Sequence, residues 1–124
     1  MTRRILIITV LSLLIAGSCY YDNAEYLYPE LTTGCDTSSV SFSGTIVPMM
    51  QNNCWSCHSN STAASFGNNI RLENFADIKA QSASVLGAIR HDPPLSPMPK
   101  GGGKLNDCLI QQFSIWINDG TPQN

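Results

Sequence analysis

The sequence predicts a small all-α domain in which short helices are joined by long loops. Alternating apolar and polar runs, which would indicate strands, are nearly absent from the chain. Short apolar segments with helical spacing are instead separated by stretches rich in Ser, Asn, Gly and Pro. Because 43% of the residues are hydrophobic and only 13% are charged, the chain is too apolar to be disordered throughout. The helices are short, so we expect them to surround a large group.

The last helix has the clearest signals at both ends. Asn106 is a favourable N-cap, Asp107 suits the positive end of a helix, and Gly120 marks the stop. Between them, apolar residues recur at helical spacing and predict a buried face. These residues are Leu109, Ile110, Phe113, Trp116 and Ile117.

Three shorter helices are predicted upstream. Ser43 is a candidate cap for a helix over 44–53, with Pro48 in its early part. Asn74 is a candidate cap for a helix over 75–81, and a further helix is predicted over 84–90. Residues 59–70 and the proline-rich segment that begins at His91 are predicted to be loops.

The N-terminus has the pattern of an export signal. Two arginines precede the apolar run 5–15, and small residues lead directly to Cys19. The run is too short to span a bilayer, which needs about 20 apolar residues. A Cys after small residues resembles a bacterial lipobox, which predicts cleavage after residue 18 and lipidation of Cys19. The alternative is an ordinary signal peptide that is cut nearby.

This pattern predicts three parts: a signal peptide over 1–18, a lipidated Cys19 with a flexible tether over 19–34, and a folded domain over 35–124. The formal net charge of the whole chain is -2. Removal of the signal peptide takes away two arginines and makes the chain more acidic. With no basic stripe along the sequence, we expect no nucleic-acid partner.

Residues 54–58, Cys-Trp-Ser-Cys-His, form the motif from which a cofactor site can be predicted. Two thiols three residues apart on one turn can each add to a vinyl group of one porphyrin, and the adjacent His58 then lies under the iron. The motif predicts one covalent haem c on Cys54 and Cys57. Three other interpretations are a thioredoxin-like redox pair, half of a zinc site and a structural disulfide. The first requires a βαβ context and the second requires another ligand pair, and neither is apparent.

The iron of an electron-transfer haem needs a second axial ligand. Met49 and Met50 precede Cys54 on the same predicted helix and cannot readily reach the opposite face. Met98 lies between two prolines that stiffen its backbone, so its loop can present a thioether at low entropic cost. Met98 is therefore the predicted distal ligand, and His91 is the alternative.

Two cysteines remain after Cys19, Cys54 and Cys57 are assigned. Cys35 precedes the first predicted helix, and Cys108 lies in the first turn of the last one. An exported domain can oxidise such a pair. We expect a disulfide between them.

Three blocks of the sequence resemble the cytochrome c family, in particular small bacterial lipoprotein cytochromes with one haem. The blocks are 45–58, which ends in the haem motif, the Met-Pro-Lys-Gly-Gly segment within 96–102, and the Trp-containing helix 109–120. The resemblance implies a cytochrome c-like fold around one haem c, with His58 as proximal and Met98 as distal ligand. The chain departs from the family in its loop 59–69 and in its extra cysteine pair.

The function expected from the motif and the resemblance is electron transfer by a membrane-anchored protein that is not an enzyme. Its partners would be redox proteins of the periplasm or membrane, and no small-molecule substrate is implied. We expect the protein to be located at the periplasmic face of a membrane, with the outer membrane preferred. The alternatives are a catalytic or gas-binding haem protein and an accessory haem subunit of a larger complex.

Overall fold

Helices form all the regular secondary structure of residues 34–124, the part of the chain that the computed structural model describes. No strand occurs in that part, which confirms the all-α class. Residues 35–124 form one compact unit. The predicted signal peptide, the lipidation site at Cys19 and the predicted tether up to residue 33 lie outside the described residues.

The first helical segment begins earlier than the sequence predicts. A π-helical turn, Phe42–Ile46, leads directly into helix α1, Val47–Asn53. Ser41, rather than the predicted Ser43, is the N-cap, and its hydroxyl accepts a hydrogen bond from the amide three residues further on. Pro48 lies in the first turn of α1, where a missing N–H costs least.

Two short helices follow, α2 over Trp55–His58 and α3 over Ala63–Phe66. Helix α3 lies in the segment that was predicted to be loop throughout. Before it, Ser59 and Thr62 exchange side-chain to backbone hydrogen bonds of 3.2 and 3.3 Å. These bonds, together with two alanines of high helix propensity, explain why a helical turn forms in a polar segment.

Helix α4, Phe75–Arg90, is continuous. The prediction of two helices with a break after residue 81 was wrong, because no Gly or Pro lies between residues 81 and 84 and the serines there do not compete strongly with the helix. The predicted cap at its start is correct: the Asn74 side chain accepts a hydrogen bond of 2.9 Å from the Asp77 amide. At the other end, Gly87 leaves room for the side chain of Leu95 from the proline-rich loop.

Helix α5, Asp107–Asn118, agrees with its prediction at both ends. The Asn106 side chain accepts a hydrogen bond of 2.9 Å from the Leu109 amide. After the helix, Gly120 has φ +88°, a conformation that glycine adopts without steric cost.

The core lies between the π-helical turn and helices α1, α4 and α5. Trp116, which is fully buried, lies at its centre with Phe42 and Phe113 at ring-centroid distances of 5.8 and 5.6 Å. The indole N–H donates a hydrogen bond of 2.8 Å to the Pro122 carbonyl. This bond satisfies the one polar group of a large buried side chain.

Both ends of the unit are attached to its interior. Cys35 and Cys108 form a disulfide with a Cα–Cα distance of 5.3 Å. Nearby, the Gln112 side chain donates a hydrogen bond of 2.8 Å to the Asp36 carbonyl. At the other end, the Asn124 side chain accepts a hydrogen bond of 2.8 Å from the Phe42 amide.

Replacing both Cys35 and Cys108 with Ser should lower the free energy of unfolding by up to about 4 kcal/mol, because the disulfide closes a 73-residue loop. Urea unfolding with and without a reducing agent measures this effect. The reducing agent should destabilise the wild type and leave the double variant unchanged. Equal midpoints for the two proteins without reducing agent would contradict the prediction.

Candidate haem-attachment site

The thiols and the imidazole of the motif lie on a single helical turn. Cys54 ends α1, where its amide donates a hydrogen bond of 2.8 Å to the Met50 carbonyl, and it immediately precedes α2. The His58 amide then donates a bond of 2.8 Å to the Cys54 carbonyl. The buried helix α1 therefore sets the position of the whole motif, since Met50 belongs to the core.

Cys54 and Cys57 are both free thiols and both half-buried. Burial raises the pKa of the Cys54 thiol to about 11. The attacking thiol of a redox-active C-x-x-C pair has a lowered pKa instead, and the described residues contain no strand from which a βαβ unit could be built. The raised pKa and the lack of a βαβ context in the described residues disfavour the redox pair.

The ring of His58 is held through one of its two nitrogens. Nδ1 lies 2.9 Å from the Ile70 carbonyl oxygen. A carbonyl can only accept a hydrogen bond, so Nδ1 carries the proton and Nε2 of the neutral ring keeps a lone pair. Metal-binding histidines typically donate their other ring N–H in this way. His58 is therefore in the tautomer that an axial iron ligand requires.

Residues 70–72 run alongside α2 and clamp it at further points. The Leu72 amide donates a hydrogen bond of 2.8 Å to the His58 carbonyl, and the Trp55 indole N–H donates one of 2.6 Å to the Leu72 carbonyl. Together with the Ile70 bond, these contacts fix both ends of the motif turn against one segment. Sequence reasoning missed this clamp because its acceptors are backbone groups.

Gly67 allows the loop to approach His58 closely. A Cβ atom at this position would lie 2.5 Å from the Cys57 carbonyl oxygen and 2.8 Å from His58 Nδ1. The next two residues, Asn68 and Asn69, have φ values of 52° and 60°, in the left-handed region that Asn tolerates best after Gly. This Gly-Asn-Asn bend turns the chain so that the Ile70 carbonyl faces the ring. The bend was a readable turn signal, but nothing in the sequence linked it to His58.

The two candidate distal ligands contact each other. His91 ends α4, and its Nε2 lies 3.1 Å from the Met98 carbonyl oxygen. Since that oxygen only accepts, Nε2 of His91 carries the proton. The Met98 side chain makes no hydrogen bond to the other described residues, and the residue is half-buried. Met49 and Met50, in contrast, are packed in the core.

The donor set fits a haem. The described residues contain no group of three or more His, Cys, Asp or Glu side chains placed to hold a metal ion. A haem iron does not need one, because the porphyrin supplies four nitrogens and the protein only one or two axial ligands. Within residues 34–124, the large apolar side chains that remain exposed are Phe66, Ile70 and Leu95. Phe66 directly precedes Gly67, the Ile70 carbonyl is bonded to His58, and Leu95 belongs to the loop that carries Met98.

Comparisons with family models, curated proteins and solved structures found no match to this chain.

Within residues 34–124, none of the helices is long and apolar enough to cross a membrane.

Gly67→Ala should reduce the amount of covalently bound haem per protein and lower the free energy of unfolding by about 1–3 kcal/mol, because the added methyl overlaps with the Cys57 carbonyl and the His58 ring. Haem absorbance per protein and urea unfolding measure these effects. Gly103→Ala is the matched control, since a Cβ there meets nothing within 4 Å. Wild-type haem content and stability in Gly67→Ala would refute the close-approach argument.

Alkylation of Cys54 in the haem-free chain should be slow at neutral pH and should accelerate as the pH rises towards about 11, where the buried thiol ionises. Peptide mapping after timed iodoacetamide treatment measures the rate at this residue. The same chain unfolded in urea is the control, and it should react at the pH of an ordinary thiol. A plateau of the folded-state rate below pH 9 would show that burial does not suppress the thiolate.

Proposed function

We propose that this protein is a monohaem c-type cytochrome that acts as a membrane-anchored electron-transfer protein and is not an enzyme. The observation that carries the proposal is the geometry of His58. Its Nδ1–H is bound to the Ile70 carbonyl, so Nε2 is available on the same helical turn as two free thiols. The resemblance of three sequence blocks to the cytochrome c family supports the same conclusion.

In this proposal Cys54 and Cys57 hold the haem by thioether bonds, and His58 Nε2 is the proximal ligand. The haem supplies a one-electron redox centre. The exposed side chains of Phe66 and Ile70, which are 74% and 37% accessible, offer apolar surface close to the motif. Contact with a porphyrin would remove part of this surface from water, at about 25 cal/mol per Å².

Met98 is the proposed distal ligand, in preference to His91. The nitrogen by which His91 would ordinarily bind iron carries a proton that is donated to the Met98 carbonyl. The thioether sulfur of Met98 forms no such hydrogen bond within the described residues. Ligation by His and Met raises the reduction potential relative to two histidines, which suits a carrier that accepts and releases electrons reversibly.

The proposed location follows from the N-terminal pattern. Cys19 would carry a lipid anchor after export, placing the domain at the periplasmic face of a bacterial membrane, with the outer membrane preferred. Redox proteins of the periplasm or membrane would be its partners. Because the chain is acidic, we expect those partners to present basic surfaces, and their association should weaken as salt rises.

The test is the absorption spectrum of full-length protein made with cytochrome maturation machinery. Wild type should show a c-type reduced spectrum and a weak far-red ferric band from the thioether–iron bond. Met98→Ala should lose that band and bind carbon monoxide in the ferrous state, because it removes the proposed distal ligand. His91→Ala, the comparison variant, should retain the band.

Other outcomes would overturn parts of the proposal. Complete and rapid carbon monoxide binding by the wild type would favour a catalytic or gas-binding protein. Loss of the native spectrum in His91→Ala alone would move the distal site to His91. Absence of covalent haem from the wild type would refute the central proposal and return Cys54 and Cys57 to the zinc or disulfide interpretation.

A further inference from the structure

We propose that His91 is a positioning residue that pins the Met98 loop to the C-terminal end of α4 and so holds the Met98 thioether in place. The inference rests on the proposed function, because it assigns a role within the same haem site. It concerns the loop between the last turn of α4 and Pro99. Three observations carry it: the conformation of His91, the bonds at Met98 and the prolines around it.

His91 has the left-handed conformation that commonly ends a helix, with φ 65°. Its amide donates to the carbonyls of Gly87 and Ala88 in the last turn of α4. Glycine is the residue that most often occupies such a position, because it adopts positive φ without strain. A histidine there supplies something that glycine lacks, which is a side chain directed at the loop.

Both polar groups of the Met98 backbone are attached to this end of α4. The Met98 amide donates a hydrogen bond of 3.0 Å to the Ala88 carbonyl. The Met98 carbonyl accepts one from His91 Nε2 at 3.1 Å. With its N–H and its C=O both bound, the Met98 backbone is restrained at two points, which limits the positions that its sulfur can take.

The prolines on either side restrict the backbone of the Met98 loop. Pro97 has a fixed φ angle and Pro99 limits the backbone angles of Met98, so the loop has few other conformations in which the Met98 carbonyl could find another donor. The rest of the loop is supported at a different point, where the Leu95 amide donates to the Asp92 carbonyl at 3.0 Å. Among the described residues, the hydrogen-bond donor to the Met98 carbonyl is the His91 ring.

Displacement of Met98 from iron by an added ligand must break this attachment if the loop moves. Removing the ring bond should therefore make displacement easier. A typical intramolecular hydrogen bond predicts an effect of about 2-fold to 12-fold on the binding constant of the competing ligand. Removal of the ring bond should leave covalent haem attachment unaffected, since Cys54, Cys57 and His58 lie on a different segment.

The experiment titrates the ferric full-length holoprotein with imidazole and follows loss of the far-red thioether band. His91→Gly is the main variant, because glycine keeps the left-handed helix end while removing the ring. His91→Gln retains a side-chain N–H donor, and Lys100→Ala changes an exposed residue next to the loop as the control. Haem content and circular dichroism are recorded for each protein.

We expect His91→Gly to bind imidazole about 2-fold to 12-fold more tightly than wild type, with unchanged haem content and an initial far-red band still present. His91→Gln should recover most of the wild-type affinity, and Lys100→Ala should match the wild type. Wild-type imidazole affinity in His91→Gly would overturn the inference while leaving the cytochrome proposal intact.

Two further results separate this inference from the proposed function. A wild type that binds haem covalently but lacks the far-red band, and gains an open site in His91→Gly, would make His91 the ligand and overturn the positioning role. A wild type without covalent haem would overturn the proposed function itself. In that case Met98 would have no iron to bind, and the positioning role of His91 would be overturned as well.

Discussion

The hydrogen bond from His58 Nδ1 to the Ile70 carbonyl is the interaction on which the candidate site depends. It selects one tautomer of the ring and directs the free lone pair away from the loop. The bond requires a backbone that passes very close to the motif, and Gly67 permits this because it has no Cβ. The left-handed Asn68 and Asn69 then reverse the chain. The long polar loop, a departure from the resembled family, is thus part of the site.

His91 also forms a hydrogen bond to a backbone carbonyl, but it does so through the other ring nitrogen. Both rings bond to a backbone carbonyl, but His58 does so through Nδ1 and His91 through Nε2. A carbonyl demands a proton on the nitrogen that it faces. His58 therefore offers Nε2 to a metal, whereas His91 has its Nε2 committed to the Met98 loop. The sequence predicts Met98 as the distal ligand from its flanking prolines and keeps His91 as the alternative, and this difference in tautomer is a second physical ground for proposing Met98.

Local signals account for what the sequence predicted correctly. The caps Asn74 and Asn106 act within a few residues of themselves, so their helix starts were readable. The break expected within α4 was wrong because the serines there are only weakly unfavourable in a helix. Gly67 and Ile70 were not identified at all. Their roles arise when distant segments meet, and a backbone carbonyl acceptor leaves no signature in the residue type.

In the proposed cytochrome, stability and ligand geometry depend on different kinds of contact. The disulfide attaches the start of the domain to α5, and the aromatic cluster around Trp116 lies in the core, against which Cys54 and Trp55 of the motif also pack. The orientation of His58 and of the Met98 loop depends in addition on single hydrogen bonds between loops and helix ends, each worth about 1 kcal/mol. Loss of the disulfide should therefore alter unfolding with little effect on the proposed haem site, whereas changes at Gly67 or His91 should act on that site at a modest cost in stability. Such a division would let a small domain keep its fold while its loops adjust the environment of a bound iron.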